Sequence, residues 1–256
     1  MKHKNHIIII VIASICLFLC REFYSYYSPA KTRPIYSTIH HDDDTLRIAF
    51  IGDSWAFRHK FHKCRIPDLL KDSLSRPVTI SSYGINGKTS KEIYYALFDD
   101  LKFKSFIKRG YDYCYISAGI NDTYKKMSES YYKQSMDLII QFLLENKIHA
   151  IIQEIPDYNI TKAFEDQKTN RKILRRFSIF INGTTIDCKQ HFRNALEELI
   201  RENGYQDKVS IIRYQSWNKN YENDLIYLYT PDQMHLNEDG YALLDSLIAQ
   251  ELLNSL

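Results

Sequence analysis

Apolar runs of strand length recur at residues 46–51, 78–82, 111–117, 148–155 and 209–214, each separated from the next by a segment long enough for a helix. A strand that is apolar throughout must be covered on both faces, so this alternation predicts a parallel sheet between two helical layers. Tyr132, Met136, Ile139, Ile140 and Leu143 recur at helical spacing over residues 130–146 and are expected to be core. Similar patterns run over 188–203 and, through Tyr241, Leu244, Ile248 and Leu252, along the C-terminus. The fold expected is α/β: a three-layer α/β/α sandwich with a flavodoxin-like parallel sheet of about five strands, plus an N-terminal apolar helix. No internal repeat or low-complexity stretch interrupts this plan.

The N-terminus has its own pattern. Lys2 and Lys4 precede an uninterrupted apolar stretch over residues 7–20, the charged and hydrophobic regions of an export signal. At 1.5 Å per residue this stretch reaches only about 21 Å. That falls short of the roughly 30 Å hydrocarbon core of a bilayer. Phe23, Tyr24, Tyr26 and Tyr27 as an interfacial belt, with Arg21 snorkelling, would extend it. No small-residue cleavage site follows, so residues 1–27 are expected to be a signal anchor, a cleaved signal peptide being the alternative. The positive charge ahead of the run is expected to place the body outside the cytoplasm, which in a bacterium means the periplasm or the cell surface. Residues 28–45, with Pro29, Pro34 and the run His40-His41-Asp42-Asp43-Asp44, read as a solvated linker. Residues 46–256 then form the remaining domain.

Composition adds exclusions. A net charge of +3 and the absence of any recognition motif argue against a nucleic-acid partner. Five cysteines, two of them in the apolar run, do not make a disulfide framework, although a Cys64–Cys188 bridge is open to an exported domain. His59, His62 and Cys64 have ligand-like spacing but are read as structural, and neither metal nor cofactor is expected. The basic run Arg171, Lys172, Arg175 and Arg176 reads as a solvated helix face, with attraction to an anionic polymer or lipid headgroups as the alternative. Trp55 and Trp217 are candidates for stacking on a sugar ring, or for packing.

Four short blocks carry the chemistry: Gly52-Asp53-Ser54, Gly84-Ile85-Asn86-Gly87, Gly119-Ile120-Asn121-Asp122 and Asp232-Gln233-Met234-His235. Three follow expected strands and the fourth precedes the last helix, where an open α/β sheet places its active site. A serine hydroxyl needs a base within hydrogen-bond reach, and imidazole is suited to take and return its proton. Asp232, three residues before His235, can orient the ring from within one tight turn. A backbone N–H and a side-chain amide are the two donor types that build an oxyanion hole.

As a set the blocks resemble the SGNH, or GDSL-type, serine hydrolases over residues 46–256. The resemblance implies Ser54 as nucleophile, His235 as general base and Asp232 as its orienter. It implies an oxyanion hole from the N–H groups of Ser54 and Gly87 and the amide of Asn121. Gly87 is preferred to Gly84 because the family's donor usually lies at the later glycine, before a helix that here begins at Ser90. Asn121, Asn159 and Asn182 each lie in an N-glycosylation sequon, and a glycan on Asn121 would remove its donor, which favours a compartment without that modification. The function expected is an extracytoplasmic esterase cleaving acyl, foremost O-acetyl, esters of a small molecule or polysaccharide. O-acyl transfer to an envelope polysaccharide, lipase or thioesterase activity, and a non-catalytic binding role are the alternatives.

Overall fold

The computed structural model describes residues 2–216 and 221–256. The chain begins with helix α1 (Lys2–Tyr27) and then alternates: β1 (Leu46–Gly52), α2 (Ser54–His59), α3 (Ile66–Leu70), β2 (Val78–Gly84), α4 (Ser90–Asp99), α5 (Leu101–Ile107) and β3 (Tyr113–Ser117). It continues through α6 (Ile120–Lys125), α7 (Glu129–Glu145), β4 (His149–Gln153), α8 (Ile160–Glu165), α9 (Thr169–Asn182), α10 (Lys189–Glu202) and β5 (Val209–Ile212). A single 3₁₀ turn, Tyr214–Ser216, then α11 (Tyr221–Tyr227) and α12 (Glu238–Ser255) complete it.

All pairings within the sheet are parallel, in the order β2-β1-β3-β4-β5. This is the flavodoxin-like order, which reverses direction beside β1 and leaves a crevice at the strands' carboxyl ends. β1 and β3 are central and almost wholly buried, whereas the edge strand β2 carries Thr79, Ser81 and Ser82 and is only half-buried. Helices α4, α7 and α10 pack side by side, and α12 packs on α3 and on Trp55 of α2. The α/β fold and sheet thus match the reading of the apolar runs, with one systematic difference. β3, β4 and β5 are shorter than the runs that mark them, because an apolar run reports burial and not pairing. After Gln153 the chain leaves the sheet toward Pro156, and Ile155 is buried against the turn at Gly119 instead.

α1 extends beyond the apolar run at both ends. Ile9–Tyr27, 19 residues with none buried, is long and apolar enough to cross a membrane. Lys91 closes the end of this helix: its ammonium donates to the carbonyls of Ser25 and Ser28 at 2.7 and 2.6 Å, where the helix dipole favours a cation.

Residues 28–45 contain neither helix nor strand, yet they lie along the domain. The N–H groups of Lys31 and Arg33 donate to the hydroxyls of Tyr95 and Tyr94. The Tyr36 hydroxyl donates to the Leu97 carbonyl at 2.6 Å while its ring packs on Phe98 and Phe142. Farther along, the N–H groups of Thr38 and Ile39 donate to the Asn146 side chain and the Lys108 carbonyl. The segment is a largely exposed strap, tied to α4, α5 and α7 at these points.

Candidate active site

The sheet register assembles the site. Gly52 at the end of β1 is level with Gly84 at the end of β2 and with Ser117 at the end of β3, so the three segments that follow open into one crevice. The Asp53 N–H donates to the Ser117 carbonyl and the Ile85 N–H to the Gly52 carbonyl, which stitches the three exits together. Gly84 has a packing reason: a Cβ there would lie 2.1 Å from the backbone nitrogen of Phe57, so a side chain would push β2 off α2. Gly87 has a conformational one, its φ of +72° lying in the left-handed region, with open space where a side chain would stand.

Ser54 is the first residue of α2, and its N–H has no hydrogen-bond partner among the described residues. Its Oγ lies 3.0 Å from His235 Nε2, and His235 Nδ1 lies 2.6 Å from Asp232 Oδ2. A carboxylate only accepts, so Nδ1–H donates to Asp232, and the Nε2 of the neutral ring is left to accept the serine proton. Asp232 is itself held by an Asx turn: its Oδ1 accepts from the N–H groups of Met234 and His235 and from the Thr230 hydroxyl. Gln233 takes a φ of +54° to close the turn, and Asn159 bonds both its carbonyl and its side chain. The structure therefore brings together the serine, histidine and aspartate singled out in the sequence.

The electrostatics suit a base. Burial pulls the His235 pKa below its ordinary value, against the raising effect of Asp232, so the ring is neutral at pH 7. Partial burial opposes ionisation of Asp232, but the hydrogen bonds it accepts outweigh it and hold the carboxyl well below the usual range.

Asn121 lies in the first turn of α6 and is buried; its amide nitrogen is 3.5 Å from Asp53 Oδ2. Asp53 is fully buried and also accepts from the Trp55 N–H and the Ser117 hydroxyl. Desolvation pushes its pKa up to about 7 in spite of these bonds. Asp122, the next residue after Asn121, accepts from the N–H and hydroxyl of Ser90 and thereby ties α6 to the start of α4, just after Gly87. Burial raises its pKa to about 6. Neither carboxyl was singled out in the sequence for such a role, since the signal, an aspartate inside a motif block, does not say what it faces.

Trp55 is fully buried and its indole N–H donates to the Met234 carbonyl at 3.0 Å, so it is packing and not a sugar platform. Trp217 lies outside the described residues. His62 stacks on Tyr241 and bonds Glu238, while His59, Cys64 and Asp245 converge with donor atoms within 4.8 Å of one another. That cluster satisfies itself: Asp245 accepts from the His59 ring at 2.7 Å and from the Arg65 N–H at 2.6 Å, and burial with the nearby Asp245 charge pushes the Cys64 thiol up to about 12. The cysteines are free, Cys114 and Cys188 being buried.

A Ser-His-Asp relay at the switch point of a doubly wound sheet is the site of a serine hydrolase. The chain belongs to the GDSL-like lipase/acylhydrolase family, whose model matches residues 50–243. Solved structures share the fold at low identity. An acetyl xylan esterase, AlAXEase, is 17% identical with a TM-score of 0.56, the match covering 80% of this chain and 98% of that one. A lipase/acylhydrolase from Enterococcus faecalis is 17% identical with a TM-score of 0.53, covering 81% and 95%. An acetylxylan esterase from Geobacillus stearothermophilus is 14% identical with a TM-score of 0.52, covering 81% and 94%. No curated protein matches the chain by sequence.

Proposed function

We propose that this protein is a membrane-anchored, extracytoplasmic serine esterase that removes acyl groups, foremost O-acetyl groups, from a carbohydrate. The observation that carries the reading is the continuous relay from Ser54 Oγ through His235 to Asp232, at 3.0 and 2.6 Å. Ser54 Oγ attacks the ester carbonyl as His235 Nε2 takes its proton. The tetrahedral oxyanion is received by the N–H groups of Ser54 and Gly87 and the amide of Asn121. Collapse breaks the bond to the alcohol, which leaves with the proton from His235, and Ser54 holds the acyl group. Water, deprotonated by the same imidazole, then releases the acid and restores the serine.

The acetyl ester reading is supported by the two acetylxylan esterases that share this fold. The anchored reading is supported by the apolar span Ile9–Tyr27, with Lys2 and Lys4 ahead of it. Residues 1–27 would be the anchor, 28–45 the strap, and 46–256 the catalytic domain. The test is acetate release by the full chain in detergent, from a chromogenic acetate ester and from acetylated polysaccharides, beside butyrate and longer esters. Acetate release that exceeds longer-chain cleavage and disappears in Ser54→Ala supports the reading. Preference for long acyl chains would assign a lipase instead.

A further inference from the structure

Helix α9 is turned inside out. In a surface helix of a globular protein the apolar stripe faces the core. Of the 14 residues of α9, Ser178 alone is buried, and the half-buried ones, Lys172, Arg175, Ile179 and Asn182, are polar save Ile179. That side holds the domain through hydrogen bonds: Arg175 donates to the Lys125 carbonyl, Asn182 to the Lys126 carbonyl, and Ser178 pairs with the Tyr27 hydroxyl. The outward side carries Ile173, Phe177 and Phe180, flanked by Leu174 and Ile181, all exposed, with Phe180 at 84%. A patch of this kind marks a surface meant to be covered.

Two observations say by what. The stripe is continuous with the candidate membrane span, since Phe23 of α1 packs edge-on against Phe177 at 5.6 Å, four residues before the span ends at Tyr27. The helix also carries Arg171, Lys172, Arg175 and Arg176 and no acidic residue. We propose that α9 is an interfacial helix, lying in the outer headgroup boundary of the same bilayer that α1 crosses, with its apolar stripe in the acyl region and Arg171 and Arg176 toward anionic headgroups. The proposal rests on the anchored reading of α1.

A functional consequence follows from where α9 is attached. Arg175 and Asn182 grip the last turn of α6, and Asn121 lies in the first turn of that same short helix, roughly 6 Å along the axis from Lys125 at 1.5 Å per residue. The oxyanion amide, and the crevice with it, would thus be held near the membrane surface, so that the ester it cleaves is on a membrane-proximal glycan.

The test uses the full chain reconstituted into phosphatidylcholine and phosphatidylglycerol vesicles, with Phe180→Trp as the reporter and the parent's own tryptophan emission subtracted. With acyl-brominated lipids, the introduced indole is expected to lose roughly half or more of its emission and to be shielded from aqueous acrylamide, as for a side chain about 5–10 Å into the boundary. A carbonate wash reports the anchor separately. If the chain stays with the vesicles but the reporter is open to acrylamide and indifferent to bromine, the interfacial helix is wrong and the anchor stands. If the reporter is shielded only at high protein-to-lipid ratio and without bromine quenching, a second copy covers the stripe and the proposal is overturned. A chain that washes off the vesicles removes the anchored reading and the proposal together.

Discussion

The indole N–H of Trp55 donates to the backbone carbonyl of Met234 at 3.0 Å, so the residue after the nucleophile holds the residue before the histidine. The Tyr241 hydroxyl bonds the Trp55 carbonyl from α12, which fixes the tryptophan in turn. The His235 turn is joined to the chain on its other side by Asn159, at Gln233. The distance between Ser54 and His235 is thereby set by bonds outside the pair and not by two free side chains.

Trp55→Phe keeps most of the buried ring but leaves the Met234 carbonyl without this donor. Because a small misplacement of the base acts on the chemical step, kcat on a chromogenic acetate ester is expected to fall by about tenfold or more with KM little changed. Stability should drop by about 1 kcal/mol, the usual net worth of one hydrogen bond. Equal activity in the variant, read by steady-state kinetics, would show that the bond does not position the base.

Ser54→Ala and His235→Ala should each lower kcat by about 10⁶, as for members of a triad that act as one unit. Asn121→Ala should cost about 10² to 10³, the effect of losing one oxyanion donor. Circular dichroism of each variant should match the parent, and Ser54→Ala should take up no fluorophosphonate label at all. Turnover by Ser54→Ala within tenfold of the parent would remove that serine from the mechanism.

The rate against pH carries a sign. Burial disfavours the charged form of His235, and the base works only when neutral. Hence kcat/KM is expected to rise through an apparent pKa below the ordinary 6.5 and to stay level from there to pH 8. A midpoint above 7 would mean that the Asp232 charge outweighs burial in the free enzyme.

Asp53 makes stability pH-dependent in the opposite sense from a salt-bridged carboxylate. Its pKa is about 7 in the fold against an ordinary 3.8, so between these values the native state binds more protons than the unfolded one. Its contribution is fully present below 3.8 and is lost as pH rises through about 7. Asp53→Asn should therefore gain stability relative to the parent as pH goes from 4 to 8, measured as the difference in denaturant midpoints. A constant difference across that range would argue that Asp53 is ionised in the native state throughout.

The strap makes a prediction about proteolysis. With Tyr36 packed on Phe98 and Phe142 and bonded to Leu97, residues 28–45 should resist limited proteolysis in the native chain. Tyr36→Ala should open them to cleavage without loss of esterase activity. Rapid cutting of the parent within this segment, read by mass spectrometry, would show that the strap is released in solution.

What the sequence by itself determined is local. Strand runs follow from apolar continuity, and the helix starting at Ser90 follows from Thr89 and Glu92, which form a capping box. Asp232 and His235 are three residues apart and meet within a single turn, so their pairing is written in their spacing. What only the tertiary structure decided depends on strand order, which brings Gly52, Gly84 and Ser117 level across the sheet. From that follow the burial of Asp53 between Ser117 and Asn121, the Asp122 link to Ser90, and the reach of Trp55 to Met234 across 179 residues. Composition could not show that the linker segment is tied down, for a related reason: prolines and polar residues describe how a segment is built, not whether a neighbouring row of tyrosine hydroxyls and carbonyls will take up its hydrogen bonds. α9 is the sharpest case, because periodicity reveals an apolar stripe but not its direction, and only the packed domain shows that the stripe points away from the core.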